Sequence, residues 1–203
     1  MEHQSNKAEW AKRWKVGQTG WDLGGGHPLM PTLLRRLKVE AHQSTGRVLV
    51  PGCGLAHDAA YLAKVGYAVH GFDIVEQAIE QAEEAYGAIK NLTLSTADAF
   101  QLPAMDPFDI VFDRAMLCAL PKDLRVAYIK SMQDQLNPGG FFAGILFAKV
   151  NLRPDQGPPF ALSESAVGDL FRGGFRLVTW ETFPNHEEPK VVEEESLVIW
   201  QKK

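Results

Sequence analysis

The stretch Val48-Leu49-Val50-Pro51-Gly52-Cys53-Gly54, with Asp73 downstream, decides the fold. A short apolar run ends in a glycine loop. A helix-prone segment follows, then a second apolar run that closes on a lone carboxylate. This is how an α/β sheet holds the adenosine half of a cofactor, at the carboxyl ends of parallel strands.

The alternation continues on both sides of that stretch. Strands are predicted at 47–51, 67–72, 91–95, 108–112 and 141–147, with helices at 56–65, 75–87 and 122–135 between them. Asn137-Pro138-Gly139-Gly140 reads as the turn into the fifth strand. A Pro-rich loop spans 151–160, and a helix at 163–172 is capped by Ser163. The segments 175–183 and 195–201 face each other across a polar connector and suggest an antiparallel pair. Strands separated by helices imply a parallel sheet covered on both faces. A closing hairpin after five such strands suits the sheet of S-adenosylmethionine-dependent methyltransferases better than a plain dinucleotide fold.

Ahead of the first strand, residues 5–14 read as a helix with Ser5 or Asn6 as cap. A Gly- and Pro-rich loop runs from Gly17 to Pro31, and Pro31 opens a short helix over 31–38. The expectation is one domain over 1–203, with an N-terminal helical cap over 1–45 and a Rossmann-like core over 46–203. Its class is α/β, with a mostly parallel seven-stranded sheet and an antiparallel C-terminal hairpin.

A length of 203 residues suits one well-filled domain. With 45% hydrophobic and 23% charged residues, the composition is that of a soluble globular chain. The net charge of −4 offers no electrostatic footprint for nucleic acid or an anionic membrane. No apolar run approaches the roughly 20 residues that span a bilayer. There are two cysteines, Cys53 and Cys118, and the opening Met1-Glu2-His3-Gln4-Ser5-Asn6-Lys7 is polar, so a cytoplasmic setting is expected. The six histidines show no ligand spacing, and no metal is expected.

The dinucleotide fingerprint wants a third glycine where this chain has His57. Gly52 and Gly54 alone fit any tight strand-to-helix turn. Asp73, at the end of the second strand, can accept both ribose hydroxyls, or can simply cap the next helix. Asp98-Ala99 follows the third strand, where an adenine edge is read in methyltransferases; ordinary loop polarity is the other reading. Trp10, Trp14 and Trp21 fall in the first 21 residues. Indole faces attract a cation by about 0.5–2 kcal/mol, so they could close over a sulfonium. Trp10 and Trp14 share one helical face and could equally dock a helix on the body.

Together these segments resemble a known family. Trp10-x-x-Arg13-Trp14, Gly17-Gln18-Thr19-Gly20-Trp21-Asp22 and Val50-Pro51-Gly52-Cys53-Gly54 are similar to the thiopurine S-methyltransferase superfamily, in particular its halide/thiol methyltransferase branch. Gly71-Phe72-Asp73-Ile74, Phe108 to Arg114, Leu117-Cys118-Ala119-Leu120-Pro121 and Gly157-Pro158-Pro159-Phe160 extend the resemblance over nearly the whole chain. It implies that Trp10, Trp14 and Trp21 close over S-adenosylmethionine. Gly52 and Gly54 would pass its methionine end, Asp73 with Ile74 its ribose, and Asp98 and Ala99 its adenine. Asp113 and Arg114 would stand beside the transfer site as cofactor contact and catalytic pair. Phe160 stands where members of that branch often carry Tyr, and Met116-Leu117 where a Thr-Phe or Phe-Phe pair is frequent.

The chemistry expected is methyl transfer to a small soft nucleophile: a thiol, sulfide, thiocyanate or halide. A thiolate or iodide needs no base; a neutral thiol does, and Asp113 is the candidate. Arg114 could orient an anionic acceptor or pair with Asp113 or Asp109. Phe147, Pro159 and Phe160 would form an apolar acceptor wall. Cys118 reads as a buried structural thiol, and Glu193-Glu194-Glu195 as a solvated turn. An oxygen or nitrogen acceptor, or a module that binds the donor without turnover, are the alternatives. The partner expected is a small-molecule acceptor, the chain being a monomer or weak homodimer.

Overall fold

The computed structural model describes residues 7–40, 45–153, 156–185 and 191–203. Ser5 and Asn6, the expected caps, lie outside the described residues. Helices α1 (Lys7–Lys15) and α2 (Met30–Glu40) precede β1 (Arg47–Pro51). Then come α3 (His57–Lys64), β2 (Ala68–Asp73), α4 (Glu76–Tyr86), β3 (Leu92–Thr96) and β4 (Phe108–Arg114). After a 3-10 turn at Leu117–Ala119 follow α5 (Lys122–Gln135), β5 (Leu136–Val150), α6 (Glu164–Phe171), β6 (Phe175–Pro184) and β7 (Val192–Lys202).

The sheet order is β3-β2-β1-β4-β5-β7-β6. β1 to β5 run parallel, and β7 is antiparallel to both β5 and β6. Side chains alternate across the sheet. Val48, Val50, Ile110 and Phe112 pack on one face with α2, α3 and α4. Leu49, Val111 and Phe142 pack on the other with α5 and α6, through Tyr128, Met132 and Phe171. The chain leaves β1 for β2 on one side and later returns to β4 on the other. The two tips therefore part at a topological switch point, where ligands bind in such sheets.

Met30, Leu33 and Leu37 make α2 a helix of the core layer rather than part of a cap. What overhangs the strand tips is α1 and the loop that leads to His27. Trp14 packs there on Val75 and Ala78. Ser163 caps α6 as expected, its Oγ accepting from the Ala166 N–H at 3.4 Å.

Two expectations about the sheet are corrected. β5 begins at Leu136, so Asn137-Pro138-Gly139-Gly140 is an irregularity inside the strand. Phe108 pairs with Leu136 and Ile110 with Phe141, which leaves four residues to bulge opposite Asp109. Gly139 takes φ +74° there, and Asn137 Nδ2 donates to Asp109 Oδ1 at 3.0 Å. Glu193-Glu194-Glu195 is not a turn but part of β7. Glu195 is buried because its Oε2 lies 3.1 Å from His27 Nε2.

Candidate functional site

The loop after β1 is built on left-handed backbone. Gly52 has φ +60° and Gly54 φ +53°, and Ala56 joins them at φ +60°. Such a conformation is costly for alanine and marks a place where the surroundings fix the chain. A Cβ on Gly52 would lie 2.8 Å from Met116 Sδ, and one on Gly54 3.5 Å from the Trp14 ring. Gly52 is therefore needed for close approach as well as for φ, while Gly54, whose Cβ would make an ordinary contact with that ring, is needed for its φ.

Asp73 braces this loop. Its Oδ2 accepts the Gly54 N–H at 3.0 Å and its Oδ1 the Val75 N–H at 2.9 Å. The carboxylate thus joins the β1 loop to the start of α4 and keeps acceptor capacity in reserve. Burial pushes its pKa up, while the N–H donors of Val75, Gly54 and Ile74 pull it down. At the next tip, Ala97 N–H donates to Asp73 O at 2.9 Å. Asp98 Oδ1 accepts from Phe100 N–H at 3.0 Å, and the carbonyl of buried Ala99 accepts from Ser131 Oγ at 2.6 Å. Asp73, Ile74, Asp98 and Ala99 thus lie at the ends of β2 and β3, along the same edge of the sheet.

Asp113 is placed differently from a base. It is 0% exposed. Tyr128 Oη donates to its Oδ2 at 2.6 Å, and Leu117 N–H lies 3.2 Å from Oδ2 and 3.3 Å from Oδ1. Burial raises its pKa to about 6 against the pull of those donors. The group holds the turn after β4 rather than facing an acceptor, because both oxygens are enclosed by α5 and that turn. The tip itself bends through Ala115 at φ +65°.

Arg114 pairs with neither Asp113 nor Asp109. Its Nε donates to Asp58 Oδ2 on α3, and its Nη1 to the Trp21 carbonyl at 3.0 Å. Asp109 is occupied by the Arg47 N–H and by Asn137. Asp58 also accepts the His27 N–H at 2.7 Å, so one buried carboxylate anchors the cap loop to the β4 tip. Asp22 Oδ1 lies 3.1 Å from His57 Nε2 without hydrogen-bond geometry, while His57 Nδ1 is bonded to Tyr86 Oη at 2.7 Å. Asp58, His27 and Tyr128 were not visible as site residues. The one sequence signal for Asp58 is a carboxylate on an otherwise alanine- and leucine-lined helix face.

The tryptophans form one edge-on cluster. The Trp10 and Trp21 centroids are 5.5 Å apart at 79°, those of Trp14 and Trp21 6.1 Å apart at 71°. Trp14 is buried against the glycine loop, while Trp10 and Trp21 are half-buried. Docking of α1 and cover of the β1 loop are therefore achieved by the same side chains.

On the other side of β4, Phe160 N–H donates to Cys118 O at 2.8 Å and Leu162 N–H to Phe147 O at 2.8 Å. These bonds bring the loop after β5 onto the turn after β4, with Phe147 buried and Pro159 and Phe160 half-buried. Burial pushes the thiols of both Cys118 and Cys53 up, so neither is a ready thiolate.

A family model described as Thiopurine S-methyltransferase (TPMT) matches residues 5–202. Thiocyanate methyltransferase 1 of Brassica oleracea is 35% identical over 179 residues, covering 86% of this chain and 76% of that protein. A thiopurine S-methyltransferase of Legionella pneumophila subsp. pneumophila is 34% identical over 174 residues, covering 78% and 77%. Among solved structures, the 1,6-didemethyltoxoflavin-N1-methyltransferase of Burkholderia thailandensis superposes with TM-score 0.74 at 19% identity, over 97% of this chain and 87% of that one. That structure holds 1,6-didemethyltoxoflavin and S-adenosylhomocysteine. The N-methyltransferase NodS of Bradyrhizobium japonicum WM9, with S-adenosylhomocysteine, gives TM-score 0.72 at 15% identity, over 98% and 99%. At these identities the structures establish the class I methyltransferase fold.

Proposed function

The chain belongs to the thiopurine S-methyltransferase family, and from that premise we propose that this S-adenosylmethionine-dependent methyltransferase acts on a small soft nucleophile, sulfur before halide. The observation that carries the reading is the glycine loop braced by Asp73 and roofed by Trp14.

The strand tips fit the donor. Gly52 leaves no room for a Cβ beside Met116, and Gly52 and Gly54 both take the left-handed backbone that turns the loop toward the methionine end. Asp73 retains acceptor capacity for ribose hydroxyls, and Asp98 with Ala99 stands where the adenine edge would be read. Trp10, Trp14 and Trp21 offer indole faces to a sulfonium.

S-adenosylmethionine supplies a methyl group made electrophilic by its sulfonium charge; a sulfur lone pair forms the new carbon–sulfur bond while the departing sulfur keeps the electrons of the old one. The chain's task is positioning, which can supply about 7–11 kcal/mol of the barrier. The cap tied down through Arg114 and Asp58 excludes water, and a dry site favours an anion meeting a cation. Phe147, Pro159 and Phe160 give the acceptor a polarizable wall. Asp113 acts as a positioning group, since Tyr128 and Leu117 occupy its oxygens. A neutral hydroxyl would need an open base beside it. The enclosure of Asp113 therefore supports a thiolate or other ready anion over a hydroxyl acceptor.

No helix among the described residues is long and apolar enough to cross a membrane. Free Cys53 and Cys118 suit a reducing cytoplasmic setting, and the acidic net charge suits a small-molecule partner rather than nucleic acid. We take the working form to be a monomer or weak homodimer.

The test is calorimetry with S-adenosylmethionine and S-adenosylhomocysteine, then headspace detection of methylated product from hydrosulfide, thiocyanate, iodide and a small thiol. Binding of both nucleosides with product from a sulfur acceptor is expected. Binding with turnover only on oxygen or nitrogen acceptors would move the assignment within the fold, and binding with no turnover would leave a binding module.

A further inference from the structure

Arg125 is the charged side chain that the site described above leaves unexplained. It lies in the first turn of α5 and is 4% exposed. Its Nε donates to the Leu120 carbonyl at 3.0 Å. Its Cζ sits 5.6 Å from the centroid of the Phe160 ring. Its Nη2 is fully enclosed and has no hydrogen-bond partner among the described residues. No carboxylate forms an ion pair with it there; Asp113 is held by Tyr128 and Leu117, and Asp58 by Arg114.

A guanidinium carries five donors and stays charged in proteins. Burying one against a single carbonyl and one ring face leaves much of its lost hydration unreplaced. An anion is what would complete it. The neighbourhood says which kind. Phe160 is bonded through its N–H to the Cys118 carbonyl, and the same loop is bonded on to Phe147. The Phe160 ring and the buried Cys118 thiol are the neighbours at this corner, which suits a polarizable, weakly hydrated anion. Arg114, the arginine that the sequence offers for this task, is spent on Asp58 and the Trp21 carbonyl.

We propose that Arg125 is the anion-binding group of the acceptor site, its Nη2 taking the charge of a small soft anion such as a thiolate, hydrosulfide or iodide beside Phe160. The proposal rests on the methyltransferase reading and assigns the acceptor's charge state within it. Arg125 in this role determines specificity; it takes no proton and forms no bond to the methyl group.

Full-length protein with Arg125→Met and Arg125→Lys tests it. Steady-state kinetics are measured with hydrosulfide, together with S-adenosylhomocysteine affinity and thermal unfolding. Arg125→Met should raise the acceptor KM by about tenfold or more, as when one partner of a buried charge pair is removed. It should leave S-adenosylhomocysteine affinity within about twofold, and Arg125→Lys should recover part of the KM, since it restores the charge without the fork. An unchanged acceptor KM, or a loss of kcat that simply follows a loss of folded protein, overturns the proposal and makes Arg125 a support for the Phe160 loop. A second arm needs no variant. Wild-type crystals soaked in iodide should show an anomalous peak in contact with the Arg125 guanidinium; peaks only elsewhere, or none, overturn it. If the wild type methylates no sulfur or halide acceptor, the function reading fails on its own, and the iodide arm still decides the anion site.

Discussion

The carboxylate of Asp58 on α3 is ion-paired with the guanidinium of Arg114 at the tip of β4. Each partner holds one end of the same cap loop, Asp58 through the His27 N–H and Arg114 through the Trp21 carbonyl. Both are nearly enclosed, so removal of one strands the other's charge. Asp58→Ala should destabilise the fold by about 3–5 kcal/mol, read by chemical denaturation, and should weaken S-adenosylhomocysteine binding as the cap loosens. A loss under half a kcal/mol would mean that the pair is solvated and that the cap is held by its tryptophans alone.

Asp73 is asked to do two things, to brace Gly54 and to accept ribose hydroxyls. Asp73→Ala should weaken S-adenosylmethionine binding by about 1–3 kcal/mol, as when buried hydroxyls lose their acceptor. Calorimetry measures this directly, and unchanged affinity would place the ribose elsewhere.

Asp113 gives a pH signature with a definite sign. Its native pKa, about 6, lies above the ordinary carboxylate value. Between the two the native state holds a proton that the unfolded chain has released, so stability falls as pH rises. The contribution is fully present below about pH 4 and lost above about pH 6, a span worth about 3 kcal/mol at 1.36 kcal/mol per unit. Asp113→Asn keeps an acceptor for the Tyr128 hydroxyl and should flatten that part of the stability profile. It should also retain turnover of a thiolate within about tenfold, whereas loss of a true general base typically costs 10²–10⁴-fold. A larger loss with intact folding would restore Asp113 as the base.

Trp14 joins packing to cover. It is 8% exposed, against Val75, Ala78 and the Gly54 backbone. Trp14→Ala should cost about 3–5 kcal/mol of stability, the usual range for a buried tryptophan. Measured well below its unfolding temperature, the variant should also bind S-adenosylhomocysteine more weakly, and Trp14→Phe should recover most of both. Undiminished affinity in a folded Trp14→Ala protein would reduce the indole to packing.

What could be read in the chain follows the range of the forces involved. α5 was legible to its ends because Pro121 precedes it and Asn137-Pro138-Gly139-Gly140 signals a break just after it. β1, the glycine loop and Asp73 were legible because a local turn dictates their residue types. The start of β5 was misread because Asn-Pro-Gly-Gly signals a turn whether it lies between elements or bulges within a strand. Glu195 was misread because its partner His27 sits in the N-terminal cap loop, at the far end of the chain. The partner of Arg114 was out of reach for the same reason, since adjacent Asp113 is the obvious candidate until the fold turns it inward. Arg125 carries no local sign at all; only its burial and an Nη2 without a hydrogen-bond partner among the described residues distinguish it from a surface arginine on an amphipathic helix.

The most direct measurement is a crystal structure of the full chain grown with S-adenosylhomocysteine. The expected result is the nucleoside between the tips of β1 and β2, with its ribose on Asp73, its adenine at Asp98 and Ala99, and Trp14 over the glycine loop. An empty cleft at saturating ligand, or the nucleoside bound away from Asp73, would contradict the reading at its base.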